Sequence, residues 1–113
     1  MKKILLICLL SLVSFSAYSM LPPKHGTITI TAAGATDRTQ GNDETVTACT
    51  FLADSGNSGA VYLGNFNVTN SSGTSQGIKL NPGESLSNFS LSNIKFMYFA
   101  ADNANDAVHF ICS

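Results

Sequence analysis

Thr27-Ile28-Thr29-Ile30-Thr31 decides the fold class of this 113-residue chain. Isoleucine and threonine alternate strictly, so an extended backbone sends the isoleucines to one face and the threonines to the other. The same two-residue beat recurs along the chain. Val46 to Ala53 is a β-rich run with Cys49 and Phe51 on one face, and Ala60-Val61-Tyr62-Leu63 is another, bounded by Gly59 and Gly64. A short piece from Phe66 to Thr69 continues it or pairs with it. Gly77-Ile78-Lys79-Leu80 runs into Asn81-Pro82-Gly83-Glu84. There proline presets φ and glycine accepts the positive φ of a type II turn. Ser85 to Leu91 then returns as a strand. Its apolar parity slips between Leu86 and the Phe89/Leu91 pair, which predicts a bulge near Ser87-Asn88. Ile94 to Ala100 is the most apolar run and reads as a central strand, and Ala107 to Cys112 closes the chain with Val108, Phe110 and Cys112 on one face.

No segment carries a 3.6-residue apolar period of helical length. Seven or eight short strands with frequent turn signals predict an all-β fold. The expected architecture is a single antiparallel β-sandwich, Ig-like or jelly-roll-like, with loops at 34–44, 54–59 and 70–77.

The first nineteen residues read differently. Lys2 and Lys3 precede a largely apolar stretch from Ile4 to Val13, and Ala17-Tyr18-Ser19 places small residues where a signal peptidase reads them. Ten residues make only about 15 Å of helix, half of what a bilayer requires, so the stretch is too short to span one. Cys8 lies inside the apolar run and no cysteine follows the small-residue site, which argues against a lipid anchor. The expected organisation is a cleaved signal peptide at 1–19, a flexible lead-in at 20–26 and the sandwich at 27–113. Export to the periplasm or the extracellular space follows, and the double lysine gives the leader a bacterial character.

Without Lys2 and Lys3, four cations (Lys24, Arg38, Lys79, Lys95) face seven carboxylates, a net charge of −3. Four scattered cations make no basic patch, which disfavours nucleic acid and anionic lipid alike. Beyond residue 19 the chain holds ten each of Ser, Thr and Asn, side chains that solvate an exposed surface without charge. Cys49 and Cys112 remain as an even pair, and in an oxidising compartment they are expected to form one disulfide. It would close a 63-residue loop, worth about 4 kcal/mol of chain entropy, and pin the last strand. The alternative is two free thiols with His109 as a base, but residues 109 and 112 face opposite sides of a strand.

Candidate chemistry is sparse. There are two histidines, His25 and His109, and no Gly-x-Ser-x-Gly elbow. His25 falls in the expected lead-in, where a base would not be held in place, so no catalytic residue is assigned. Asp102, Asn103, Asn105 and Asp106 form an oxygen-rich loop of the kind calcium favours, but Ala104 takes an alternate position and no glycine or terminal bidentate Glu is present. Asp37, Asn42, Asp43 and Glu44 make a second acidic loop of the same sort. Both read first as turns, with no metal and no cofactor. The chain has no Trp, and Tyr62 and Tyr98 lie inside apolar runs as core, which argues against a carbohydrate platform. The sequons at Asn67, Asn70 and Asn88 are incidental in so Asn-rich a chain.

The runs Gly59-Ala60-Val61-Tyr62-Leu63-Gly64, Gln76-Gly77-Ile78-Lys79-Leu80-Asn81-Pro82-Gly83-Glu84-Ser85-Leu86 and Asn93 to Asp102 resemble the small β-sandwich virion proteins of tailed bacteriophages, which attach to heads or tails. The resemblance spans about residues 59–111. It implies a non-enzymatic sandwich that assembles with its own copies or docks on a larger structure, and it carries over no catalytic residue. The expected function is therefore an exported, non-catalytic structural or binding module, working through polar strand faces and loops on a protein partner or on itself. The alternative is a fibre subunit that donates residues 27–32, with Ile28 and Ile30 inserted into a neighbour. A small secreted hydrolase is a distant third.

Overall fold

The computed structural model describes residues 22–34, 38–71, 73 and 75–113. The expected leader at 1–19 lies outside the described residues, as does Asp37 of the acidic loop. Eight strands follow one another: β1 (Lys24–Ile30), β2 (Thr39–Gln40), β3 (Ala48–Ala53), β4 (Val61–Gly64), β5 (Ile78–Leu80), β6 (Ser85–Ser90), β7 (Tyr98–Ala101) and β8 (Asp106–Cys112). They form two four-stranded antiparallel sheets, ordered β1-β8-β3-β6 and β2-β7-β4-β5. Within them β1 pairs with β8, β2 with β7, β3 with β6 and β4 with β5. The first half of the chain is thus paired with the second half in reverse order, and the double ribbon is rolled into two stacked sheets. That is the jelly-roll arrangement, the second of the two sandwich types expected from the sequence.

The core lies between the sheets. Ile28, Ile30, Cys49, Phe51, Ala53, Val108, Phe110 and Cys112 enter it from the first sheet, and Val61, Leu63, Leu80, Phe99 and Ala101 from the second. Phe51 and Phe99 meet edge to face across the gap, with ring centroids 5.8 Å apart, a preferred geometry for aromatic pairs. Cys49 and Cys112 form the expected disulfide. They sit directly opposite each other on β3 and β8, with Cα atoms 4.1 Å apart, as in a pair that exchanges no backbone hydrogen bonds.

Several expectations are corrected. The strand opened by the Thr-Ile alternation starts at Lys24, not Thr27, so residues 24–26 are not a lead-in. Lys24 and His25 pair with Cys112 and Ile111, and Gly26 lies so close beneath the Phe110 ring that a Cβ there would sit 2.8 Å from it. The expected bulge is present: Cys49 faces Phe89 while Phe51 faces Leu86, and Asn88 takes a φ of 53°. The turn at 81–84 also forms, with Gly83 at φ 83° and the Glu84 N–H donating to the Asn81 carbonyl over 2.9 Å. It does not close a hairpin, however. β5 and β6 belong to different sheets, so the turn is a corner by which the chain crosses the sandwich.

The apolar run at 94–100 splits. Ile94–Phe96 is a 3-10 turn, because Asn93, itself buried, accepts the Glu44 and Lys95 N–H groups at 2.9 and 3.0 Å and donates to Asp43. Only the remainder, as β7, is the expected central strand. Phe66 to Thr69 is no strand. It folds back over the outer face of the second sheet, where Ala60, Tyr62, Val68 and Ala100 form a second apolar cluster with Tyr98 against it. The tyrosines pack there and not between the sheets.

Candidate functional site

Two surfaces gather chemistry. The first is the outer face of the β1-β8-β3-β6 sheet. β8 is central, and its odd-numbered residues point outward, so His109 stands between Thr27 on β1 and the end of β3. The Thr27 Oγ1 lies 2.8 Å from Nδ1 of His109, and Nε2 lies 2.8 Å from Oδ1 of Asp54. The other carboxylate oxygen of Asp54 accepts the Gly56 N–H at 3.0 Å. The hydrogen bond from His109, then that from Gly56, together with the charge of His109, hold Asp54 below the ordinary carboxylate value of 3.8 against a smaller opposing effect of burial. Asp54 is therefore an acceptor, which makes Nε2 the donor; Nδ1 accepts the Thr27 hydroxyl proton when the ring is neutral and donates to the hydroxyl oxygen when it is charged.

An alcohol, an imidazole and a carboxylate in a row have the order of an acyl-transfer triad. The surroundings do not complete one. The His109 and Asp54 side chains are 41% and 42% exposed, so the base works in water and not in a desolvated site. The row serves as a clip joining β1, β8 and the 54–59 corner. That clip was not legible in the sequence, because residues 27, 54 and 109 come together only through the β1-β8-β3 pairing.

The calcium candidates are placed as a structural loop. Asp106 is buried and accepts from the Ser58 N–H, the Ser58 hydroxyl and the Gly59 N–H at 3.0, 3.1 and 3.1 Å. Asp102 accepts from Tyr62 and Asn70. Burial, followed by the charge and hydrogen bond of Asp102, raises the Tyr62 pKa above its usual 10.0. Asn105 has a φ of 68° and donates its N–H to the Ile30 carbonyl. Among the described residues no three His, Cys, Asp or Glu side chains group as metal ligands. His25 and His109 both lie on the outer face, with His25 opposite Ile111.

The second surface is apolar. Where the edge strands β5 and β6 stack on one flank of the sandwich, a cleft of about 280 Å³ opens between the sheets, lined by Leu63, Ile78, Phe89, Leu91, Phe96 and Met97. Three of these are large side chains left in solvent: Ile78 at 47%, Phe89 at 37% and Phe96 at 57% exposure. A wider polar hollow of about 460 Å³ adjoins it along 64–68 and 75–78, bordered by the loop expected at 70–77. Sequence reasoning missed the cleft because an apolar residue on a strand reads as core. The one available signal was the parity slip at Ser87-Asn88, since the bulge is what brings Phe89 to the rim.

Neither family models, nor curated proteins, nor solved structures match this chain. The disulfide is compatible with an exported protein, and among the described residues no helix is long and apolar enough to cross a membrane.

Proposed function

We propose that this chain is an exported, non-catalytic binding module that attaches to a protein partner by seating an apolar side chain of that partner in the β5–β6 cleft. The observation that carries the reading is the clustering of Ile78, Phe89 and Phe96, all exposed, around one concavity. Such patches on small domains mark contact sites. At about 280 Å³ the cleft is near the lower end of the roughly 300–1,000 Å³ typical of small-molecule pockets, and its apolar rim suits an inserted apolar side chain. The leader and the disulfide support export, and the resemblance to phage virion sandwiches supports an assembly role. The contact expected of polar faces and loops moves in this reading to an apolar flank. The donated-strand alternative would require Ile28 and Ile30, 5% and 0% exposed, to leave their own core; nothing in the fold favours it.

A photoreactive side chain placed at position 96 tests the reading, with position 79 as control. A discrete protein adduct from 96, absent from 79 and lost on Phe89→Ser, is expected. Equal labelling from both positions, or an adduct that survives Phe89→Ser, overturns it. The exported protein should begin at Met20; retention of residues 1–19 would remove the export claim.

A further inference from the structure

The two sheets have four edges, and three of them are closed to pairing. β2 has two residues and β5 three, too short to template a partner. β6 carries the bulge at Ser87-Asn88, with Asn88 at φ 53°, which twists that edge out of register. These are standard protections of a sheet edge. β1 has none of them. It runs seven residues in unbroken register against β8, contains no proline and no acidic residue, and its one lysine is turned away to the Thr45 carbonyl.

The pairing also shows which backbone groups are free. The Asn105 N–H reaches the Ile30 carbonyl, so Ile30, Ile28, Gly26 and Lys24 direct their N–H and C=O groups toward β8. The Asp54 N–H donating to the Ala107 carbonyl, and Ser113 N–H to the Ala48 carbonyl, agree with this alternation, since odd residues of β8 then face β3. On β1 the groups of His25, Thr27 and Thr29 therefore point away from the sheet. Among the described residues no other segment hydrogen-bonds to that side.

We propose that this open edge pairs with β1 of a second copy, antiparallel about a twofold axis through Thr27. The strand is self-complementary in that register. His25 faces Thr29 of the other copy, Thr27 faces its own equivalent, and every facing pair consists of outward-pointing residues. Three such pairs exchange about six backbone hydrogen bonds. No two formal charges oppose each other, Thr–Thr is a favourable cross-strand pair, and isologous contact closes at two copies without propagating. The two outer faces join into one eight-stranded surface, with the two Thr27–His109 clips beside the axis.

Seven-residue ladders bury less than a standard stable interface, so a concentration-dependent dimer is expected. Sedimentation of the purified protein from about 1 to about 200 µM spans the relevant range. Thr29→Pro removes an outward N–H and no β1–β8 bond. Thr29→Lys adds an edge charge without touching the backbone. Both variants are expected to stay monomeric throughout, with melting temperatures close to the parent. Thr27→Cys should cross-link two copies under mild oxidation much faster than Thr29→Cys, because only residue 27 meets itself. A parent that is monomeric at every concentration overturns the proposal. So does a dimer that persists in both Thr29 variants, and a dimer lost only on Phe89→Ser would place the contact at the cleft instead.

Discussion

At the scale of single residues, most of the ordering is done by side chains with several partners each. Asn57 shows how: its amide donates to the Ala107 carbonyl and accepts the Ala107 N–H, at 2.9 and 2.8 Å, completing the ladder where β3 has already ended. Asp106 and Asn93 do the same for the corners at 58–59 and 43–45. Every buried side-chain nitrogen or oxygen among the described residues has a partner, as a domain this small requires. Asp54 has a consequence that can be measured. Its folded pKa is depressed, so its contribution is present above the unfolded value near 3.8 and is lost as pH falls through the lower folded value. Asp54→Asn should therefore lower stability modestly at neutral pH and flatten the acid limb, the two curves converging in strong acid. Urea midpoints across a pH series check this, and parallel curves would count against the clip. Cys49 and Cys112 could be paired from parity and number alone. The Thr27–His109–Asp54 row could not, since its members are 27 and 55 positions away from Asp54 and join only through tertiary register.

At the scale of elements, local chemistry was legible and partnership was not. The bulge at Ser87-Asn88 followed from the slip in apolar parity, and the type II turn at 81–84 from proline and glycine, whose backbone preferences are strong. The destination of the turn did not, because Pro-Gly specifies a reversal and not the sheet that receives it. Likewise Ile94–Phe96 has the composition of a strand, yet Asn93 accepts the Lys95 N–H ahead of it together with the Glu44 N–H from a distant loop, and winds the turn. Gly41 tests how tightly that turn is seated. It is buried, its N–H donates to the Met97 carbonyl at 2.9 Å, and an added Cβ would lie 2.1 Å from the Ile94 carbonyl oxygen. Gly41→Ala should cost about 1–3 kcal/mol by forcing the turn away from the core. Gly83→Ala should cost only about 1 kcal/mol, the strain of its positive φ in open space. Chemical denaturation of the two variants orders them; equal losses would mean that the 41–97 contact yields freely.

For the whole molecule, the reversed pairing of the two halves gives the sandwich two unlike flanks. One, at β5 and β6, leaves apolar side chains in solvent; the other leaves outward backbone groups of β1 without a partner among the described residues. The class of the fold was readable because alternation is local, and the choice of jelly roll was not, because strand order is decided by which faces bury best together. The same pairing sets Lys24 opposite Cys112, so both ends of the folded domain leave from one place. Tension applied to those ends would peel β1 from β8 one hydrogen bond at a time, as a zip and not in shear. The peeling would stop at the covalent link from Cys49 to Cys112. Only the stretch from Lys24 to Cys49 could pay out, about 25 residues or roughly 85 Å of contour. The 63-residue span behind the bridge would stay mechanically silent until a reductant releases it. Single-molecule stretching with and without reductant should show a short extension lengthened severalfold by reduction. A full-length extension without reductant would mean that the bridge is absent. The disulfide is, in these terms, a length limiter for a domain held by its two ends.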